Sequence, residues 1–298
     1  MEVKNLYSRI FVNEVAAIEY LEALNFYRHT IKCDCGLVMD KVKSKNYLEG
    51  ICFYCTNGCK KRKGIKNGTF LQSSRMPTHI QLRMLYCWAM KMTNPVVSTT
   101  CEISEFIYIC FKGRILEKVK NEINTSFEKI GGVGRTIQVD EVAIRSGNII
   151  TNPSIKEHNS LGITWLVCGV ESEENNYFLK IIPNRTAAVI QEIFRKCVVK
   201  GTTIRTNDSD LYSSAVHDFG SPHEVVDHSV NLTNVLGQSS IKIKNLWSRL
   251  KAELRKIKEI EHVNMEDFTG EFRFRSKHRQ TKKIDTYAEI FKQILLIE

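Results

Sequence analysis

The chain has 298 residues, 43% of them hydrophobic, enough apolar material for one large domain with appendages or for two to three small ones. Lys and Arg number 43 against 33 Asp and Glu, and the resulting formal charge of +10 favours a polyanionic partner, nucleic acid ahead of a membrane surface. No apolar run approaches the roughly 20 residues of a membrane span, Met1-Glu2-Val3-Lys4 opens no secretion signal, and 10 cysteines in that setting argue for reduced thiols or metal over a disulfide framework.

Residues 1–30 read as an N-terminal helix. Phe11, Val15 and Ile18 stand at helical spacing, with Leu21 and Leu24 continuing in three-residue steps and Glu22 interrupting. Residues 31–70 change character. Cys33-Asp34-Cys35-Gly36 and Cys52-Phe53-Tyr54-Cys55 are two close cysteine pairs a hairpin apart, with Cys59 behind them. That is what a tetrahedral thiolate site requires, and Gly36 and Gly50 suit the turns that aim the sulfurs inward. The first pair is spaced by one residue where two are usual, so Cys59 is a candidate for one of the four places. Four sulfurs leave no open position, so a zinc ion here is structural; free buried thiols are the alternative. Lys60, Lys61, Arg62 and Lys63 follow at once, either as a solvated face or as a patch that contacts phosphates.

Residues 77–130 read as a helical region. Pro77 opens a helix carrying Ile80, Met84, Leu85 and Trp88, Thr93-Asn94-Pro95 stops it, and a long helix starts at Ser104. The order is like a helix-turn-helix, with Lys112 and Arg114 on the last element in reach of a major groove; a plain three-helix bundle fits the pattern as well. Gly131-Gly132-Val133-Gly134 marks a boundary.

From residue 136 the period becomes that of strands. Thr136–Ile144 alternates, with Ile137, Val139, Glu141 and Ala143 on one face and Gln138, Asp140, Val142 and Ile144 on the other. An acid in a central strand is costly to bury unless paired, and metal ligation is one such pairing. Ile163–Glu171 and Tyr177–Pro183 read as the next strands of a meander, joined by Glu173-Glu174-Asn175-Asn176. A helix follows over Ala187–Val198, a strand over Thr202–Thr206, a helix containing Leu211 and Tyr212, and a strand over His223–His228. Asn231–Gly237 reads as loop and 241–260 as a long helix with Ile243, Leu246, Trp247, Leu250, Leu254 and Ile257 in its stripe. Residues 276–298 read as a C-terminal helix. Strand-strand-strand-helix-strand-helix-strand-helix is the order of an α/β domain of ribonuclease-H-like type, here spanning 136–275. In that fold carboxylates on the first strand, after the fourth and on a later helix hold two divalent ions, with hard oxygen ligands suited to Mg2+ or Mn2+.

Several blocks in order resemble the Merlin-type DDE transposases and their bacterial ISXO-like relatives. Residues 33–70, through Thr69-Phe70, resemble the family's zinc ribbon. Val139-Asp140-Glu141 is similar to its first catalytic block, and Trp165–Val170 to its second strand. Gly201–Asn207 with Tyr212 is similar to the block of the second catalytic Asp, and His223–Ser229 to its "HxxVNHS" segment. Trp247–Lys251 is similar to the helix of the third acid, and Glu271-Phe272-Arg273-Phe274-Arg275 to its "EFxxR" element. The resemblance implies a ribonuclease-H-like DDE transposase core behind a zinc ribbon. It implies double-stranded transposon ends as partner, a homo-oligomer, and a nuclear location in a eukaryote or a cytoplasmic one otherwise.

The chain departs from that pattern at the acids. Aligned on Tyr212, the second catalytic position is Asn207; aligned on Trp247, the third is Lys244. An amide offers one neutral oxygen and an ammonium none. Two unit charges 4 Å apart interact by about 4 kcal/mol at an effective dielectric of 20, and an ammonium facing a divalent ion is repelled by about double that. Asp208, next to Asn207, is a substitute ligand, whereas Glu141 lies on the opposite face. Lys251 and Arg255 share a face with Lys244, as a phosphate-contacting or a solvated surface. The expectation is a transposase-derived DNA-binding protein with structural zinc and an impaired or lost two-metal site. An active transposase using Asp140, Asp208 and Mg2+ or Mn2+, and an interaction scaffold that does not bind DNA, are the competing readings.

Overall fold

Each change of period in the sequence becomes a change of element in the computed structural model, which describes residues 5–56, 58–72, 75–145, 148–150, 163–174, 176–207, 209–226, 237–256 and 264–297. A 3-10 turn at Arg9–Phe11 leads into α1 (Glu14–Ala23). Strands β1 (Ile31–Lys32), β2 (Val38–Lys43), β3 (Ile51–Tyr54) and β4 (Arg62–Gly64) follow, then α2 (Thr78–Ala89), α3 (Asn94–Cys101) and α4 (Glu105–Thr125). The rest runs β5 (Thr136–Arg145), β6 (Asn148–Ile150), β7 (Ile163–Glu171), β8 (Tyr177–Ile182), α5 (Ala187–Cys197), β9 (Thr203–Asn207), α6 (Asp210–Phe219), β10 (His223–Val226), α7 (Gly237–Leu254), α8 (Met265–Lys277) and α9 (Lys283–Leu296). The chain divides into two units, residues 1–122 with 274–298 and residues 123–273. No described helix is long and apolar enough to cross a membrane.

In the first unit β1 to β4 make a sheet in chain order, antiparallel throughout. Its turns use Gly36 and Gly50 at φ +86 and +71, where a side chain would be strained. Lys66 and Glu49, both almost fully buried, pair at 2.6 Å, and the ammonium also donates to Met76 O at 2.6 Å. Helix α2 is held at both ends by charged groups far away in sequence. The Glu14 carboxylate accepts from the Thr78 and His79 backbone N–H at 2.8 and 3.0 Å, satisfying donors that the first turn leaves open. The Arg275 guanidinium donates to Ala89 O and Trp88 O at 3.0 and 2.7 Å and lies 4.1 Å from a Trp88 ring centre. The N-terminal helical stripe is shorter than its spacing suggests. Phe11 belongs to the separate 3-10 turn and α1 starts only at Glu14, so Val15 faces out, 62% exposed, and Ala17 takes the core position beside Ile18 and Leu21.

The second unit is a mixed α/β layer structure. Its sheet runs β10-β9-β5-β7-β8, with β6 paired to β5 off that path. β5 is antiparallel to β7 and parallel to β9, β7 antiparallel to β8, and β9 parallel to β10. The pleat of β5 sorts its residues. Ile137, Val139 and Ala143 pack with α5 and α6 through Ile190, Phe194, Ala215 and Val216. Val142 and Ile144 pack with α7 through Ile243, Leu246, Trp247 and Leu250. Both faces of the central strand are therefore covered, which explains why acids placed there must find partners. Helix α7 begins at Gly237, earlier than its stripe indicates. Asp208, Asp227, His228, Ile257, Lys258 and nearly all of the expected Asn231–Gly237 loop lie outside the described residues.

Candidate metal sites

Two places gather ligand-type side chains, and each is set by local geometry. In the first unit Cys33, Cys35, Cys55 and Cys59 bring their sulfurs within 4.8 Å of one another. Cys33 and Cys59 are 3.2 Å apart and Cys35 and Cys55 3.6 Å. A tetrahedral zinc with Zn–S bonds of about 2.3 Å needs sulfurs roughly 3.8 Å apart, so the quartet fits a thiolate-bound metal such as zinc. The turns build it. Cys33 N donates to Leu37 O at 2.8 Å and Gly36 N to Cys33 O at 2.9 Å, which folds the first pair into a knuckle. Cys55 N donates to Lys61 O at 3.0 Å, returning the chain past Cys59. A Cβ on Gly58 would stand 2.9 Å from Cys55 Sγ and 3.0 Å from Cys35 Sγ, so only glycine leaves the sulfurs room. Backbone N–H groups of Leu37 and then Cys59 draw the Cys35 thiol down to about 6, whereas burial and then the Cys35 side chain raise the Cys55 thiol.

Cys52, a candidate on sequence, stands outside this group. It lies within β3, buried, opposite Val42 and Gly64, and its polar neighbour is Arg62 Nη1 at 4.0 Å. Residues 51–54 are extended, so a gap of three turns Cys52 and Cys55 to opposite sides. Cys59 completes the quartet instead.

The basic run beside the quartet is partly neutralised. Lys61 and Lys63 pair with Asp34 at 3.3 and 2.7 Å, Lys60 Nζ donates to Thr56 O, and Arg62 lies 4.8 Å from the Tyr54 ring centre. On α4, Arg114 donates to Phe70 O at 3.4 Å and sits 5.4 Å from the Phe111 ring centre, while Lys112 is half-buried. Lys251 and Arg255, at the end of α7 and just beyond it, are exposed.

In the second unit Asp140 and Glu141 leave β5 in opposite directions. Glu141 is satisfied. Arg185 Nε donates to it at 2.8 Å, the buried Tyr212 hydroxyl donates to its other oxygen, and the carboxylate is almost fully buried. Asp140 is not matched by a cation in this way. One oxygen accepts the Glu141 N–H at 3.0 Å and the other accepts Trp247 Nε1 at 3.0 Å. Burial, then the Glu141 charge, push its carboxyl up to about 6; Trp247, the Glu141 N–H and the Lys244 charge oppose the rise.

Asn207 ends β9. The parallel pairing of Gln138 with Arg205, carried two residues further, brings Asn207 level with Asp140 on the same face. Its Oδ1 is buried and accepts no hydrogen bond from the described residues. Lys244 sits one helical turn before Trp247, exposed, its charge reaching Asp140. Among the described residues the cysteine quartet is the one group of three or more metal-binding side chains, and no such group surrounds Asp140. Trp247, Arg185 and Tyr212 were not marked by sequence as partners of the acids. Trp247 reads there as one more apolar stripe residue, and only the fold shows where its indole N–H is aimed.

Residues 137–277, from β5 to the end of α8, match the family model described as the ISXO2-like transposase domain. Residues 137–277 are thus similar to a transposase-family domain and form a mixed α/β scaffold, in a protein that also holds a cysteine quartet suited to a metal. No curated protein matches it.

Proposed function

We propose, from the premise that residues 137–277 are related to the ISXO2-like transposase domain, that this is a transposase-derived DNA-binding protein. In this reading its core is ribonuclease-H-like and its two-metal strand-transfer site is impaired or lost. Strand order β10-β9-β5-β7-β8 with β7 antiparallel to β5 supports such a core. Supporting the loss is the pairing at Asp140: one carboxylate oxygen is taken up by Trp247, a lysine charge is nearby, and an amide stands where resemblance places the second acid.

The chemistry follows from these donors. Two divalent ions in such a core would activate a nucleophile and stabilise a leaving oxygen. Asp140 supplies one anionic ligand, Asn207 one neutral oxygen, and Lys244 repels. The quartet would hold structural Zn2+ and fix the β1–β4 sheet. The reading takes duplex DNA at transposon ends as partner and a homo-oligomer as working form. It places the protein in the nucleus if its host is eukaryotic.

Titration calorimetry with millimolar Mn2+ tests the site. The wild type should bind no divalent ion at Asp140, and Asn207→Asp with Lys244→Glu should create a site that Asp140→Ala removes. Metal-dependent nicking of terminal-repeat DNA by the wild type, abolished by Asp140→Ala, would overturn the inactive reading in favour of an active transposase.

A further inference from the structure

A second group of charges lies at the edge of the same sheet, two strands from Asp140. β8 is the edge strand, and its Lys180 shares a face with Phe178 and Ile182. Ile130 N donates to Cys197 O and Val199 N to Ile130 O, both at 2.9 Å, which ties the segment before β5 to the end of α5. That tie brings Phe127 to Lys180, whose Nζ is 5.2 Å from the ring centre. Arg273 of α8 reaches the same ring, its Cζ also 5.2 Å from the centre. The two charges are therefore no farther apart than twice that distance. Arg273 is only 9% exposed. Among the described residues neither cation makes an ion pair or a hydrogen bond.

Two cations withdrawn from water beside one aromatic ring repel each other, and the ring face compensates only part of the lost hydration. Burial lowers both from their ordinary values, and for Lys180 the Arg273 charge adds to the effect. The cationic surroundings extend further. Burial raises the neighbouring Cys197 thiol, while Lys180, Arg273, Lys196 and Lys129 all act on it in the opposite sense. Of these, Lys196 has a carboxylate partner, Glu192 at 3.2 Å. Glu128, next to Phe127, is exposed and pairs with neither Lys180 nor Arg273, while Glu271, two residues before Arg273 on α8, is half-buried.

We infer that Lys180 and Arg273, presented on Phe127, form a phosphate-binding site that takes the phosphodiester backbone of a nucleic acid strand passing the β8 edge. A guanidinium fork and a point-charge ammonium supply complementary donors to phosphate oxygens, and the anion removes the repulsion between them. A free phosphate shares this chemistry; the strand is favoured because the inference rests on the DNA-binding reading above. Lys129, exposed two residues after Phe127 and with its charge reaching Cys197, extends the contact along the backbone.

The test measures affinity of the full-length protein for a short random-sequence duplex against salt, with melting by circular dichroism as the control for folding. Lys180→Gln should lower the salt slope by about one, as expected for one lost phosphate contact, and Lys180→Arg should restore it. Arg273→Lys keeps the charge at the more buried position and should weaken binding without changing the slope. Wild-type binding whose slope is the same in Lys180→Gln overturns the inference and leaves the DNA-binding reading standing. Absence of duplex binding, with a melting temperature raised by inorganic phosphate only while Lys180 is present, keeps the site, assigns it to a free anion and overturns the DNA-binding reading. Neither duplex binding nor phosphate stabilisation overturns both.

Discussion

The cysteine quartet and the Asp140 strand differ in how their ligand-type side chains are brought together. The quartet draws all its donors from one 27-residue stretch, Cys33 to Cys59, and its turns, glycines and backbone N–H groups all favour four converging sulfurs. The two-metal site proposed at Asp140 would need β5, β9 and α7 to agree, and only the β5 residue is an acid among Asp140, Asn207 and Lys244. A local site is lost by breaking its own loop. A site assembled from distant elements would lose ligands one at a time and leave its sheet in place, and at β5 Trp247 and the two hydrophobic layers pack the strand from both faces. Glu141 sharpens the contrast, since one residue away the same strand carries a carboxylate fully matched by Arg185 and Tyr212.

The largest effect is expected at the quartet. Cys55→Ser, or chelation of the wild type, should release a bound metal ion and unfold the β1–β4 sheet. Structural zinc contributes roughly 10–16 kcal/mol in small zinc modules. Metal analysis with hydrogen exchange over residues 31–70 reads this, and retention of metal at full occupancy in Cys55→Ser would remove Cys55 from the ligand set. Cys52→Ser should leave metal content unchanged. Next comes Arg185→Gln, which leaves Glu141 buried with only the Tyr212 hydroxyl. Loss of one partner of a buried pair costs roughly 3–5 kcal/mol, measured by denaturant unfolding. A much smaller loss would mean that Glu141 is as poorly matched as Asp140, and the contrast between them would disappear.

What sequence could and could not reveal divides along the same line. The alternation of 136–144 yields β5 with its two faces, because a period of two survives any packing, and the apolar run 163–171 yields β7 as a strand without assigning its faces. Glu141 is placed on the face away from Asp140 by that parity alone. The choice between Cys52 and Cys59 was not legible. It depends on whether the chain is extended or turned between Cys52 and Cys55, and a spacing of three fits both. Arg185 beside Glu141, and Lys180 beside Arg273, are separated by 44 and 93 residues, and no periodicity reports such meetings. Asp208 stays a sequence-level candidate, since it lies outside the described residues.

The smallest of the expected effects is the most specific to Asp140. Its carboxyl titrates near 6 in the folded protein against an ordinary value of 3.8. The folded state therefore holds a proton that the unfolded state has released, and stability falls as pH rises through the window from about 4 to about 6. Two units of difference correspond to at most roughly 3 kcal/mol, with the penalty complete above that window and absent below it. Asp140→Asn removes the titration. The stability of this variant relative to wild type should improve by up to that amount between pH 4 and pH 8, read from unfolding curves across the range. Trp247→Phe should act in the opposite sense. It deletes the indole donor that favours the ionised carboxylate, so the window should move to higher pH, and the loss at pH 8 should exceed the loss at pH 4 by about 1 kcal/mol. Parallel curves for wild type and Asp140→Asn would mean that Asp140 ionises as an ordinary exposed acid. The comparison with the quartet would then fail at its weaker member, because an acid without strain at that position has no need of a partner, metallic or otherwise.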